Sequence, residues 1–295
     1  MSGVASERAA KVGKGVASMA HPERAEGQAV DPRPPNGAGS RLSRRHAKWL
    51  VRAGAIAAFL VAWQVYGEHV NAILLVPPTA IVGQFGTMLR DGVLLNALGA
   101  SLEALVIGFG GGLVAGVTLG VIWARFAVVD WAIQPFVSAL WSTPLIALVP
   151  LYVLWFGFGL LAQVMIIASF TFFPILLNTY QGASSVDQAL LEVARTYGCT
   201  NWQTWKHVTI PSAIPYILAG LNVAIGHALT GMIIAEFYTN AVGLGGIVLK
   251  SADTFQTARM FVPIVTLMLL GIVTIGSTRR LKSRFAKWST LSEQK

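Results

Sequence analysis

The sequence predicts an all-α protein, a polytopic membrane bundle of six transmembrane helices. Three observations carry this. The chain is 54% hydrophobic and only 12% charged, whereas soluble domains carry about 25% charged residues; its mean hydropathy is +0.61. The apolar residues gather in runs of about 20, the length a helix needs to cross a bilayer. Lys and Arg crowd the ends of alternate runs. That placement orients membrane spans, so the net charge of +9 does not mark a nucleic-acid surface.

Residues 1–48 read as a disordered cytoplasmic tail, rich in Ala, Gly, Ser, Pro and charge, without apolar periodicity. No apolar core of a signal peptide lies near the start. Glu7, Glu23, Glu26 and Asp31 argue against a transit peptide. Residues 49–94 hold the first span, Leu50–Tyr66, and an outer loop with Pro77-Pro78 and a short amphipathic stretch, Thr79–Leu89. Residues 95–280 hold the other five spans: Ser101–Trp123, Phe136–Phe156, Leu160–Tyr180, Tyr216–Phe237 and Met260–Gly276. Gly157-Phe158-Gly159 predicts a tight turn between the third and fourth. Residues 281–295 form a basic cytoplasmic tail.

Arg41, Arg44, Arg45 and Lys48 precede span one, and Arg125 follows span two. Arg195 and Lys206 lie between spans four and five. Arg279, Arg280, Lys282, Arg284 and Lys287 follow span six. The other side carries Arg90, Lys250 and Arg259. Both termini, and the loop 181–215, are therefore expected in the cytoplasm. The even number of spans agrees.

Gly108, Gly112, Gly116 and Gly120 recur every fourth residue in span two, with Ala100 and Ala104 on the same stripe. Such a ridge lets another helix approach closely; the sequence leaves open whether that helix is in this chain or a partner. Pro144, Pro150 and Pro174 are expected to kink their helices.

No catalytic set is present, so no enzyme activity is expected. There is no H-E-x-x-H or G-x-S-x-G. The single cysteine, Cys199, allows neither an internal disulfide nor a cysteine metal pair. Gly245 to Ser251 lacks the glycine before Lys250 that a phosphate-binding loop requires. Polar residues inside spans are costly and mark candidate transport paths. Glu103, Ser142, Thr143, Asn178, Asn222 and Glu236 are the candidates for a translocation path or gate, with His227 and Thr230 beside them. An anion path lined by hydroxyls and amides is plausible chemistry. Glu236 facing that path would repel an anion, so a gate or helix contact suits it better.

The loop after span four has its own pattern. Ser185 to Gln188 fits a capping box with Ser185 as N-cap. Val186, Leu190, Val193, Ala194 and Tyr197 then form one apolar face. Gly198 ends this helix. Thr200 to Gln203 offers a second capping box, opening a helix that runs to about Val208 and stops at Pro211. Periodicity leaves two readings open, docking to a soluble partner or lying on lipid. A DNA-reading helix–turn–helix fails, because Trp202, Trp205 and Lys206 supply no set for base edges.

Glu192-Val193-Ala194, then Gly198, then Val208-Thr209-Ile210-Pro211 resembles the EAA signature of binding-protein-dependent ABC importer permeases. The spacing agrees throughout; Val193, Val208 and Ile210 are conservative departures. The resemblance implies the MetI-like permease fold over residues 95–280, with an EAA coupling loop at 185–211 whose contacts to an ATPase come from Glu192, Val193, Ala194, Gly198, Val208, Ile210 and Pro211. It further implies a permease homodimer in a bacterial plasma membrane, a cytoplasmic ATPase dimer that binds ATP in this chain's stead, and an extracytoplasmic solute-binding protein. The chain is most similar to the nitrate/sulfonate/taurine branch through Leu75-Val76-Pro77-Pro78, Trp155 to Gly159, Phe173 to Thr179 and Ala235-Glu236. Leu160 departs from it, where the branch commonly has Glu. A small organic or inorganic anion is the substrate class this implies. An ion-coupled secondary transporter is the alternative, and a membrane enzyme or scaffold a third.

Overall fold

The computed structural model describes residues 39–239 and 242–285, and every regular element among them is helical. Most of the predicted N-terminal tail, and most of the basic C-terminal one, lie outside the described residues. Helix α1, Gly39–His69, starts inside the segment expected to be tail. Arg, Leu, Ala and Lys are strong helix formers and extend the span backwards. The chain divides into two packing units after Gly54; the bundle described here is the second, from Ala55 onward.

The remaining helices are α2 (Pro78–Arg90), α3 (Val93–Arg125), α4 (Ala127–Ser142), α5 (Val149–Phe156), α6 (Leu160–Ser184), α7 (Gln188–Thr196), α8 (Asn201–Thr204), α9 (Ile210–Thr239), α10 (Leu244–Asp253) and α11 (Thr257–Phe285). Among the described residues, five stretches are long and apolar enough to cross a membrane, and a sixth if the bent pair α4–α5 counts as one span.

The third predicted span needs correction. It is not one kinked helix over 136–156 but two segments at 91°, joined through Thr143, Pro144 and a 3-10 turn, Leu145–Leu148. Proline cannot donate to the helix ladder, and it forces the preceding residue out of the helical region; Thr143 is extended, at ψ 129°. The hydroxyls of Ser142 and Thr143 donate to the carbonyls of Ser138 (2.8 Å) and Ala139 (3.0 Å). The Leu140 carbonyl, which Pro144 cannot reach with an N–H, accepts from the Thr143 N–H at 3.2 Å. Pro174, by contrast, sits inside a continuous α6.

Helix α6 is the axis of the bundle, packed on α3 along one face and α9 along another. The glycine ridge explains the first contact, and its neighbour is in this chain. Gly108, Gly112, Gly116 and Gly120 are buried, opposite Ile167, Thr171, Ile175 and Thr179, which also recur every fourth residue. A Cβ on Gly112 would stand 2.6 Å from the Ala168 carbonyl oxygen, so only glycine admits this approach. Gly220 of α9 meets Asn178 in the same way.

At one end of the bundle, the end of α1, α2, α10 and the start of α11 pack together. Trp63 Nε1 donates to the Val76 carbonyl at 3.1 Å, and Thr257 Oγ1 to the Ile73 carbonyl at 2.7 Å. The opposite end carries α7 and α8.

Candidate coupling site and translocation path

The loop between α6 and α9 is built by local capping. Asp187, not Ser185, is the N-cap of α7, its carboxylate accepting from the Ala189 N–H at 2.9 Å. Ser185 is already used closing α6, where its N–H donates to the Gln181 carbonyl at 3.0 Å. Helix α7 ends in a Schellman motif: the N–H of Cys199 donates to the Ala194 carbonyl (3.0 Å) and that of Gly198 to the Arg195 carbonyl (2.9 Å). Gly198 has φ +71°, the left-handed region that glycine enters without strain. The second capping box is present, with Thr200 and Gln203 bonded reciprocally.

Pro211 does not stop the following helix. A π turn, Trp205–Thr209, links α8 directly to α9. The wider turn makes room for the proline ring, whose clash with the carbonyl four residues back breaks an ordinary helix. The second helix of the loop and the fifth span are thus one continuous rod.

Of the candidate coupling residues, Ala194 is buried, and Val208 is half-buried. Glu192, Gly198 and Pro211 are exposed. Val193 is 52% exposed and Ile210 36%. On the predicted apolar face, Leu190 is 50% exposed and Tyr197 84%, while Val186 is half-buried; Trp202 of α8 is 69% exposed.

The path candidates do not form one cluster. Ser142 and Thr143 sit at the break. Trp141 beside them lies with its ring 6.1 Å from that of His227 and 6.2 Å from that of Phe173, which sets the break against α9 and α6. Asn178 donates to the Pro174 carbonyl of its own helix at 2.8 Å. Asn222 is half-buried on α9. Glu103 is exposed on α3. Glu236 is 1% exposed; its carboxylate accepts from Ser101 Oγ and from the Gly245 N–H, both at 2.5 Å. It holds α3, α9 and α10 together. A cavity of about 590 Å³ lined by Val93, Lys250, Asp253 and Arg259 opens at the α10 end. None of the path candidates lines it.

Sequence reasoning passed over Asp130. It lies in the first turn of α4 and accepts from Trp123 Nε1 and from Tyr180 Oη, each at 2.7 Å. The two rings stack at 3.9 Å. A carboxylate opening an otherwise apolar run was the available signal.

Residues 116–287 match the family model described as a binding-protein-dependent transport system inner membrane component. The chain is 30% identical over 247 residues to SsuC of Bacillus subtilis (strain 168), a permease named for aliphatic sulfonates transport, covering 83% of this chain and 90% of that one. It is 32% identical to the riboflavin transport system permease RibX of Chloroflexus aurantiacus, covering 78% and 86%. It is 24% identical to the taurine transport system permease TauC of Escherichia coli (strain K12), covering 84% and 96%. Among solved structures, an inward-facing MetNI methionine ABC transporter shares the fold, with TM-score 0.56, 20% identity and coverage of 65% and 96%. The matched model covers more than half of the sequence, and the chain belongs to the family of binding-protein-dependent transport system inner membrane components, the permease subunits of ABC importers.

Proposed function

We propose that the α7–α8 loop of this permease seats on a cytoplasmic ATPase dimer, and that two copies of the chain enclose a path for a small organic or inorganic anion such as a sulfonate, taurine or nitrate. The observation that carries the docking is the bare apolar face of α7 and α8. Leu190, Val193, Tyr197 and Trp202 stand exposed on an element whose caps and buried Ala194 fix its shape. A rigid helix with an unpartnered apolar face suits a groove on a soluble protein. ATP is bound by that partner. An extracytoplasmic solute-binding protein delivers the solute at the α10 end, and both termini face the cytoplasm.

The anion reading draws on the names of SsuC and TauC. Burial of Glu236 takes away the carboxylate that would most oppose it. The name RibX belongs to a different solute class, so ligand binding by the cognate binding protein is the measurement that names the substrate. Family membership leaves the ion-coupled alternative and the enzyme or scaffold reading without support.

The coupling is tested by Gly198→Val in proteoliposomes holding the permease, its ATPase and its binding protein. A β-branched residue is strained at φ +71°, so ATPase retention and ATP-driven uptake should both fall. Full ATP-driven uptake by the variant would overturn the docking assignment. Uptake without ATP that collapses with the proton gradient would overturn the ABC mechanism.

A further inference from the structure

Motion of the coupling loop has a covalent route to α9, because α8, the π turn and α9 form one rod. It has none to the broken helix α4–α5, whose Trp141 faces α9 and α6 beside the break. Two side-chain contacts bridge that gap. The guanidinium of Arg125, the last residue of α3, lies 5.5 Å from the centre of the Trp205 ring in the π turn, within cation–π range. One extended residue later, at Phe126 (φ −120°, ψ 113°), the chain enters α4. Asp130, one turn in, binds Trp123 of α3 and Tyr180 of α6 through the same carboxylate oxygen. Trp123 and Asp130 therefore clamp the two sides of the α3–α4 joint, and Arg125 ties that joint to the coupling loop.

We propose that Asp130 is a positioning residue for ATP-coupled transport: with Arg125 and Trp205 it transmits displacement of the coupling loop to the broken helix α4. The proposal rests on the coupling role of the loop given above. A carboxylate at the first turn of a helix is favoured by the helix dipole, but that does not require side-chain donors from two other helices, Trp123 of α3 and Tyr180 of α6. Those donors are what make the start of α4 follow α3 and α6 rather than swing freely about Phe126.

The test uses the whole complex, permease with its ATPase and binding protein, in proteoliposomes, and reads solute taken up per ATP hydrolysed. Asp130→Ala and Trp205→Ala should each lower that ratio about tenfold, the scale of a site-to-site coupling. The double variant should fall no further than either single, because both break one route. Asp130→Asn, which keeps an acceptor oxygen, and Trp205→Phe, which keeps a ring, should recover much of the ratio. An unchanged ratio in the alanine variants, with uptake falling only as the amount of assembled complex falls, would overturn the proposal and leave Asp130 a static brace. Losses that multiply in the double variant would overturn the shared route. Where Asp130→Ala does not assemble, Tyr180→Phe, which removes one donor, replaces it with the same two outcomes. Failure of the unaltered complex to import with ATP is a different result, and it strikes the docking reading instead.

Discussion

Ser101 and Glu236 stand 135 positions apart in the chain and share a buried hydrogen bond of 2.5 Å. Ser101 Oγ also accepts from the Leu244 N–H at 2.9 Å, and the other Glu236 oxygen accepts from the Gly245 N–H. Two side chains thus satisfy the first N–H groups of α10, which helical bonding leaves open, and fasten that helix to α3 and α9. Gly243 and Gly245 lie against the carboxylate so closely that a Cβ on either would run into Glu236.

The first prediction concerns this junction. Glu236→Ala would leave the Ser101 hydroxyl proton and the Gly245 N–H without acceptors, at a cost of about 1–3 kcal/mol for each buried group. Glu236→Gln keeps an acceptor oxygen and should lose less. Thermal unfolding of the detergent-solubilised protein, followed by size-exclusion chromatography, should rank the parent above Gln and Gln above Ala. An alanine variant that unfolds with the parent would show that α10 is held by something else.

A second prediction separates glycines that pack from glycines that do not. A Cβ at Gly112 would meet the Ala168 carbonyl oxygen at 2.6 Å and Thr171 Cβ at 2.7 Å, whereas one at Gly111 would meet no described residue within 4 Å beyond its own stretch of helix. Gly112→Ala should therefore destabilise by about 1–3 kcal/mol, the usual range for an overpacked core. Gly111→Ala should leave the melting temperature in place or raise it, since alanine is the better helix former. Equal melting of the two variants would count against the α3–α6 contact.

Much of this architecture was legible in the sequence because its signals are local. Apolar run length gave the spans, the every-fourth glycine gave the ridge, and Gly198 with the Thr200 to Gln203 box gave the turn and second helix of the loop. Local reading failed where two neighbouring elements compete for one residue. Ser185 has the chemistry of an N-cap but serves the end of α6, so Asp187 caps α7. Pro211 reads as a stop until a π turn absorbs it. Thr143-Pro144 shows a break but not its 91° angle. Ser101, which holds Glu236, and Tyr180, which holds Asp130, lie 135 and 50 positions away, and no single-sequence periodicity carries that information.

The last prediction uses Cys199, the chain's single cysteine, which is exposed directly after Gly198. Thiol labelling is therefore specific to the turn of the coupling loop. If the excess of Lys and Arg sets the orientation, a membrane-impermeant maleimide should label Cys199 in inverted vesicles and not in intact spheroplasts. Adding the cognate ATPase should then slow labelling, because Tyr197 and Trp202, 84% and 69% exposed on either side of the turn, would be covered by the partner. Labelling from outside intact spheroplasts would place the loop on the wrong face for an ATPase. Labelling from inside that ATPase leaves unchanged would keep the orientation and move the docking surface away from this turn.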